Sequence, residues 1–314
     1  MSIQSKRIAL TCGDINGIGL EIIRKALITP GVAGEAQYTL FAPASALPDY
    51  STGLALNIID TGPEEVKITP GKWTAASGEA AYRSIDTAVR ETLQGNFDAV
   101  VTAPICKQAL IAAGHNFPGH TELLKHLCQA EDVIMMFLSE KTIIGLLTTH
   151  LPLSLVPAVL TKEYILRKII LLDRELKSRF GYDRPRIALC ALNPHGGEDG
   201  LFGTEEIHQF IPAVQAAQAQ GISVSGPFPA DALFPRAPRW HAVLAAYHDQ
   251  GLIPAKTIPG GSVNYTGGLP IVRTSPDHGT AFDIAGKNRA DPSSMINAIK
   301  WALRLKPPAL KHSH

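Results

Sequence analysis

Three histidines each follow an apolar segment that is predicted to be a β-strand: His150, His195 and His248. They are far apart in the sequence, but the ends of strands in one sheet can bring them together. Imidazole binds zinc and other first-row divalent metals, and three protein ligands with an open position are typical of a catalytic site. Asp249 is a candidate for a further ligand, a partner that orients a ligand, or a base. A single such histidine is better explained as a surface residue, so the recurrence of the setting is what favours a metal.

A second group of residues could hold an anion. Gly119-His120-Thr121-Glu122 precedes a predicted helix whose first N–H groups attract phosphate or carboxylate, although Thr121 could serve only as the N-cap. Lys107 follows a predicted strand, a common place for an exposed lysine. Lys256 and Arg273 interrupt apolar stretches, where a buried cation without a partner costs ~3–5 kcal/mol. The partner of each would be a bound anion or a carboxylate of the protein.

The composition limits the classes of partner. The chain has 314 residues, 45% of them hydrophobic and 18% charged, with a net charge of +1. This length suffices for two domains, and the near-zero charge argues against nucleic acid or an anionic membrane as the main partner. The four cysteines form no C-x-x-C pair, no signal peptide is recognised and no apolar run could span a bilayer. These features favour a cytoplasmic protein with reduced thiols.

The elements that must position these residues alternate between strand and helix, which indicates an α/β protein with a mainly parallel sheet. Five loops carry charged residues or histidines just after strands: 13–19, 103–107, 149–152, 193–203 and 248–256. We expect them to share one cleft, because ligands of open α/β sheets gather at the carboxyl ends of strands. Strands are predicted at 7–12, 38–42, 97–102, 133–138, 142–148, 186–192 and 241–247. Helices are predicted at 20–27, 79–93, 107–112, 121–129, 204–218, 279–285 and 291–304, with a further amphipathic helix capped by Thr161.

The glycine-rich turn after the first predicted strand reads G-x-x-x-G-x-G from Gly13 to Gly19. It differs from the dinucleotide fingerprint G-x-G-x-x-G, and no matching acidic residue follows about 20 positions later. By itself the turn therefore indicates only a tight connection between a strand and a helix.

Taken in order, the motifs resemble those of the 4-hydroxythreonine-4-phosphate dehydrogenase family of pyridoxal phosphate biosynthesis. They span residues 13 to about 291 and are highly specific in this order. The matching stretches are Gly13-Asp14-x-x-Gly17-Ile18-Gly19, Gly119-His120-Thr121-Glu122, Thr148-Thr149-His150-Leu151-Pro152-Leu153, Leu192-Asn193-Pro194-His195-x-Gly197-Glu198, Gly203-Thr204-Glu205-Glu206, Tyr247-His248-Asp249-Gln250-Gly251 and Arg273-Thr274-Ser275-x-Asp277-His278-Gly279-Thr280-Ala281.

The resemblance implies a set of site residues. One divalent metal ion (zinc, magnesium, manganese or cobalt) is implied at His150, His195 and His248, with His248 coming from the other subunit of a homodimer. Contacts to a small phosphorylated substrate are implied at His120, Thr121, Lys256, Asn264 and Arg273. The stretch 277–286 is similar to the cofactor-adenosine loop of isopropylmalate dehydrogenases, which implies NAD or NADP at His278, Gly279, Thr280 and Ala281.

The resemblance also implies the fold and the reaction. We expect two α/β/α domains around a central cleft, as in isocitrate and isopropylmalate dehydrogenases. Residues 1–118 and 265–314 would bind the cofactor, and residues 119–264 would carry the metal, substrate and dimerisation surfaces. The implied reaction is NAD(P)-linked oxidation of 4-phosphooxy-L-threonine to a β-keto acid, which loses CO₂ to give 3-amino-2-oxopropyl phosphate. Asp249 and Lys256 are the candidates for the base.

Other functions stay open on the sequence alone. One is a dehydrogenase of the same fold for another phosphorylated hydroxy acid, such as threonate or erythronate 4-phosphate. Another is a metal-dependent hydrolase, and a third is a non-catalytic protein that binds a phosphorylated metabolite. The chain departs from the family pattern at Ile15, Asn16 and Leu20. Retention of the residues implied to contact phosphate favours a phosphate ester over the cis-dihydrodiols that some related enzymes oxidise.

Overall fold

The computed structural model describes residues 5–47, 50, 53–62, 66–257 and 260–307. The chain divides into two compact units: unit 1 is Met1–Asp132 with Leu269–His314, and unit 2 is Val133–Gly268. The first boundary lies later than the expected position after residue 118, so His120 and Thr121 fall in unit 1. The expected division of roles, with the cofactor on one domain and the metal on the other, stays a prediction.

Strands and helices alternate along most of the described chain, which confirms the predicted α/β class. The strands are β1 (Lys6–Thr11), β2 (Ala36–Ala42), β3 (Leu56–Asp60), β4 (Ala99–Thr102), β5 (Ile134–Leu138), β6 (Ile143–Leu146), β7 (Ile187–Cys190), β8 (Val224–Phe228), β9 (Ala242–Ala245), β10 (Val263–Gly267) and β11 (Arg273–Ser275). The helices are α1 (Gly19–Leu27), α2 (Ala75–Leu93), α3 (Lys107–Ala112), α4 (His120–Leu127), α5 (Val156–Val159), α6 (Lys162–Ser178), α7 (Ile211–Ala219), α8 (Ala230–Leu233), α9 (His248–Thr257) and α10 (Ser293–Arg304).

Unit 1 is built on parallel strands in the order β3-β2-β1-β4-β11. Their residues are mostly apolar and buried, as expected of parallel strands covered on both faces. Helix α2 begins with a capping box, in which Ser77 N donates to Thr74 Oγ1 and Thr74 N donates to Ser77 Oγ, both at 3.0 Å. The helix was predicted from the sequence to begin at residue 79. Because of the capping box it begins earlier, at Ala75.

Unit 2 contains a mixed sheet. β10 pairs with β5 and β5 with β6 in antiparallel fashion, and β6, β9, β7 and β8 then follow as parallel neighbours. Helix α6 is capped by Thr161 as predicted and buries Ile165, Ile169 and Leu172. Because β6 and β9 are parallel neighbours, their carboxyl ends lie side by side.

Two secondary-structure predictions are wrong. Residues 279–285 do not form a helix: residues 279–281 have no regular structure and residues 282–285 form turns, because Ala281 has a φ of 43°, outside the helical region. Residues 248–256, predicted as a loop, lie in α9. Gly251 lets this helix approach the sheet closely: a Cβ there would lie 3.2 Å from both Ala245 Cβ and Ile144 Cγ2. Gly251 and Pro254 lower the helix propensity of the segment, which is why its pattern resembled a loop.

Two further predictions can be compared with the described residues. All four cysteines are free and buried, in agreement with reduced thiols. Among the helices described, none has the length and apolar character needed to cross a membrane.

Candidate active site

His150 and His248 lie just beyond the carboxyl ends of the neighbouring strands β6 and β9. The two chain segments stay paired past the strands, since Leu147 N donates to Ala245 O at 2.8 Å and Thr148 Oγ1 donates to Ala246 O at 2.9 Å. The centroids of the two imidazole rings are 5.9 Å apart, and both rings line a cavity of about 340 Å³. Since Zn–N bonds are about 2.0–2.1 Å long, two rings at this spacing fit as ligands of one cation.

His248 has a carboxylate partner. Its Nδ1 lies 2.7 Å from Asp249 Oδ1. Histidines that bind metals usually place their second nitrogen against a carboxylate or carbonyl, which fixes the ring and leaves the other nitrogen for the metal. The Asp249 side chain is 75% exposed, so it is also accessible to a substrate proton. The orienting role and the base role of Asp249 both stay predictions.

His195 lies in an unusual turn, Pro194–Gly200, that follows β7. Five consecutive residues, from His195 to Asp199, have positive φ angles between 42° and 83°. Two glycines adopt this conformation freely, but His195, Glu198 and Asp199 do so at a cost in energy, and such strain is common at functional sites. The turn therefore holds the exposed His195 side chain in a defined position.

The side chain of Glu206 stabilises the start of this turn by hydrogen bonds. It is 1% exposed, and its Oε1 accepts hydrogen bonds from Leu192 N and Asn193 N, both at 2.8 Å. Its Oε2 accepts a bond from Asn193 Nδ2 at 2.9 Å. A Cβ at Gly197 would come within 2.9 Å of the same Oε2, so the turn and the carboxylate pack closely. Sequence reasoning matched Glu206 to a family motif but did not identify its role, because its partners are mainly backbone groups.

Within the described residues of one chain, no three histidine, cysteine, aspartate or glutamate side chains form a group that could hold a metal ion. The structure brings together two of the three predicted ligands, His150 and His248, and does not group His195 with them. The donor set of the pair still fits a first-row divalent metal, because both groups are imidazoles and one has a carboxylate partner.

Unit 1 contains a buried arginine at the start of β11. Arg273 is 1% exposed, and its Nε and Nη2 donate to Thr102 Oγ1 at 3.1 and 2.7 Å. Burial lowers the pKa of this guanidinium to about 9. The cation is thus held in an environment that disfavours charge, a situation that a bound anion would relieve. Thr102 was not recognised from the sequence, since a threonine at the end of a buried strand gives no signal of its own.

The imidazole of His120 is held in its neutral form. Its pKa is far below the usual value, chiefly because the ring is poorly solvated and also because Arg273 and Lys107 are positively charged. Its Nε2 is buried and has no hydrogen-bond partner among the described residues. His120 is the first residue of α4, and Gly119 is the N-cap, so the alternative that Thr121 serves only as the N-cap is wrong. Thr121 is the second residue of the helix and is buried.

Two predicted substrate residues lie in unit 2. Asn264 is in β10, and its Oδ1 is buried with no hydrogen-bond partner among the described residues. Lys256 lies in the last turn of α9 and is exposed. The inference that the apolar sequence around Lys256 buries it is therefore wrong, because that stretch is a surface helix whose Ile253 is 65% exposed.

The segment predicted to bind the cofactor, His278 to Ala281, contacts the first glycine-rich turn. Ile18 N donates to Thr280 O at 3.1 Å, and a Cβ at Gly17 would lie 2.9 Å from the same oxygen. His278 Nδ1 lies 3.0 Å from Gly279 O, and its Nε2 is buried with no partner among the described residues. The turn thus has a second role beyond joining β1 to α1, since it supports this segment.

The pyridoxal phosphate biosynthetic protein PdxA family matches residues 22–302 of the chain. The chain belongs to this family. A 4-hydroxythreonine-4-phosphate dehydrogenase from Geobacter metallireducens is 44% identical over 95% of this chain and 95% of its own length. A Bradyrhizobium diazoefficiens protein with a provisional assignment as D-threonate 4-phosphate dehydrogenase is 39% identical over 96% of this chain and 97% of its own.

Solved structures agree with this PdxA assignment. A 4-hydroxythreonine-4-phosphate dehydrogenase from Klebsiella pneumoniae is 40% identical, with a TM-score of 0.86 and coverage of 97% of this chain and 99% of that one. A β-decarboxylating dehydrogenase from Thermococcus kodakarensis, 15% identical, covers 94% of this chain and 81% of that one with a TM-score of 0.50, which concerns the fold alone. The expected isocitrate dehydrogenase-like fold is confirmed. This PdxA protein is a dehydrogenase of pyridoxal phosphate biosynthesis.

Proposed function

We propose that this protein oxidises 4-phosphooxy-L-threonine with NAD or NADP and a divalent metal, and that the β-keto acid product loses CO₂ to give 3-amino-2-oxopropyl phosphate. The observation that carries the substrate class is the positive cluster of unit 1, in which Arg273 and Lys107 both act on the ring of His120. Arg273 is 1% exposed, and burial lowers its pKa to about 9, so its charge lies where charge is disfavoured. A phosphate ester would bring negative charge to such a cluster.

The substrate residues of unit 1 are His120, Thr121 and Arg273, and they would bind the phosphate. The roles of Lys256 and Asn264, which the sequence resemblance implies as substrate residues, stay predictions. Fixing the phosphate in this way orients the hydroxyl-bearing carbon, so binding energy remote from the reaction contributes to the rate. Asp249 or Lys256 would take the hydroxyl proton, and both side chains are exposed in the free chain.

His150 and His248 would hold the metal from one subunit. Because these two rings already face one cavity within one chain, we now favour His195 over His248 as the ligand that comes from the partner subunit. The cofactor would lie on His278, Gly279, Thr280 and Ala281. When bound, a divalent cation stabilises the negative charge that develops on the substrate oxygen, and the nicotinamide accepts the two electrons.

A homodimer is part of the proposal. Phe202 follows the His195 turn with its ring centroid 6.1 Å from that of His195, and it is 47% exposed beside Leu201, which is 73% exposed. Large apolar side chains next to a candidate ligand support a subunit interface at this place. A cytoplasmic location is the expected setting for such an enzyme.

D-Threonate 4-phosphate is the second candidate substrate, supported by the 39% identity to the Bradyrhizobium diazoefficiens relative. It shares the phosphate and the secondary hydroxyl, so the positive cluster serves either molecule. Membership of a dehydrogenase family disfavours the metal-dependent hydrolase and the non-catalytic binding protein.

The test is a comparison of NADH or NADPH formation by the metal-free and metal-restored protein with 4-phosphooxy-L-threonine, D-threonate 4-phosphate and their unphosphorylated parents. We expect turnover only with metal and only with a phosphorylated acid. Equal rates before and after chelation would contradict a requirement for the metal. Equal rates with phosphorylated and unphosphorylated acids would contradict a phosphorylated substrate. His195→Ala should lower turnover by several orders of magnitude.

A further inference from the structure

The side chain of Gln250 joins two strands of unit 2 at the point where their pairing ends. Strands β7 and β9 are parallel neighbours whose pairing, within the described residues, runs as far as Leu189 and Leu244. Two residues further along each chain segment, Ala246 N donates to Gln250 Oε1 at 2.6 Å and Gln250 Nε2 donates to Ala191 O at 2.8 Å. The side-chain amide therefore lies between the two strand ends as a peptide group would, with one acceptor and one donor.

Both backbone partners of this amide are buried. Ala246 is 0% exposed and Ala191 is 1% exposed. A buried N–H or C=O group that loses its partner destabilises the folded chain, so each of these groups needs a hydrogen bond. Because one partner is a donor and the other is an acceptor, a neutral amide satisfies both, whereas a carboxylate satisfies only the donor.

The bridge connects two segments that carry candidate metal ligands. Ala246 precedes His248 by two residues, and Ala191 precedes His195 by four. Gln250 itself is the third residue of α9, which begins at His248 directly beyond β9. The amide thus determines how far the chain before His195 lies from the chain before His248.

Further hydrogen bonds extend the bridge on both sides. Ala246 O accepts from Thr148 Oγ1 at 2.9 Å, two residues before His150. On the side of β7, Glu206 accepts from the two backbone N–H groups that follow Ala191. The ends of β6, β9 and β7 are therefore connected by side-chain hydrogen bonds, and one of the three candidate ligands follows each of these strands.

We propose that Gln250 is a positioning residue of the metal site, and that its amide fixes the His195 turn relative to the His150 and His248 pair. Both polar groups of this side chain bind backbone, so it acts through the strand ends and is not itself a ligand. The role is the same whether His195 serves the metal of its own subunit or that of the partner. The inference rests on the proposed function for the metal.

The first experiment is titration of the metal-free full chain with Co²⁺, followed by calorimetry and by the visible spectrum of the bound ion. Gln250→Met keeps the length of the side chain and removes both hydrogen bonds. It should weaken Co²⁺ binding about 10- to 100-fold, which is typical when a group that orients metal ligands is lost. Wild-type Co²⁺ affinity and spectrum in Gln250→Met would overturn the positioning role.

Gln218→Met is the matched control. Gln218 is a glutamine of unit 2 whose Nε2 also donates to a buried backbone segment, at Val224 O and 2.8 Å. Val224 begins β8, so this bond lies at the amino end of the parallel strands, opposite the histidines. Gln218→Met should lower the unfolding temperature and leave Co²⁺ binding unchanged. Equal losses of Co²⁺ affinity in both variants would reduce Gln250 to a purely structural residue and overturn the proposal.

Amide hydrogen exchange tests the bridge without any metal. The N–H of Ala246 should exchange faster in Gln250→Met than in the wild type, because it loses its acceptor. Gln250→Glu keeps that acceptor but has no donor for Ala191 O, so it should protect Ala246 while still changing the Co²⁺ spectrum. Unchanged protection of Ala246 in Gln250→Met would overturn the bridge. Absence of Co²⁺ binding by the wild-type chain would instead refute the metal of the proposed function.

Discussion

At the scale of single residues, burial and charge distinguish the two cations of the candidate site. Arg273 and Lys256 both interrupt apolar sequence, yet the first is almost fully buried and the second is exposed. The difference depends on the element: β11 is covered on both faces, whereas α9 presents one side to solvent. Hydrophobic context in the sequence therefore identified a buried cation correctly in one case and wrongly in the other.

The imidazole of His120, which is poorly solvated in the folded chain, should make stability depend on pH. Its folded pKa lies far below 6.5, so the unfolded chain takes up a proton below pH 6.5 and the folded chain does not. The free energy of unfolding should then fall as the pH drops below 6.5, by up to about 1.4 kcal/mol per pH unit. His120→Asn should flatten this part of the curve in chemical denaturation between pH 7 and 5, and the exposed His126→Asn should not. An unchanged slope in His120→Asn would contradict the burial of a neutral ring.

Thr102 should matter through Arg273. Thr102→Val keeps the shape of the side chain but removes the acceptor of two guanidinium bonds, so we expect a loss of ~1–3 kcal/mol in the free energy of unfolding. Phosphate affinity should fall as well, since the guanidinium loses its fixed orientation. Thr102→Ser retains the hydroxyl and should recover most of the affinity in a calorimetric titration of the full chain with inorganic phosphate. If Val and Ser variants bind phosphate equally, the hydroxyl does not position Arg273.

At the scale of elements, the sequence predicted the strands and helices with strong periodicity and missed β11 and α9, which contain candidate site residues. The central strands of each unit and helix α6 were recovered because their apolar patterns are long and regular. β11 has three residues and begins with a charged side chain, so no pattern identifies it. The 279–285 segment has an apolar pattern typical of a helix, but the positive φ at Ala281, a feature of the three-dimensional context, excludes one.

The anchor of the His195 turn is testable. Glu206→Gln replaces an acceptor of backbone N–H groups with a side chain that has one acceptor oxygen and one donor group. We expect a loss of about 1–3 kcal/mol in stability and a weaker affinity for Co²⁺, measured by calorimetry and by the visible spectrum of the bound ion. The exposed Glu163→Gln, in the first turn of α6, is the control. Wild-type Co²⁺ affinity in Glu206→Gln would show that the turn does not depend on this carboxylate.

At the scale of the whole molecule, the sequence led to the α/β class and to the dehydrogenase family, and both are confirmed. The site was predicted less completely. The motifs selected all three histidines, of which the structure places His150 and His248 together, and the role of His195 as a third ligand stays a prediction.

Assembly should be sensitive to the apolar pair beside His195. The double substitution Leu201→Asp with Phe202→Asp should shift the protein from dimer to monomer in sedimentation velocity, because two charges would have to be buried in the interface. Metal affinity and turnover should fall with the dimer. Ile111→Asp, at an exposed apolar position of unit 1, is the control and should leave the sedimentation coefficient unchanged. A double variant that remains dimeric would place the interface elsewhere.

The order in which the two units are completed follows from their division of the chain. Unit 2 is one uninterrupted stretch, whereas unit 1 needs a second segment that carries β11 and α10. Domains fold as units while the ribosome extends the chain, so unit 2 can form its sheet while β4 still lacks its neighbour β11. Arg273 belongs to this second segment. In a nascent chain the proposed phosphate site can therefore be completed only after β6 and β9, the strands that precede His150 and His248, have already emerged.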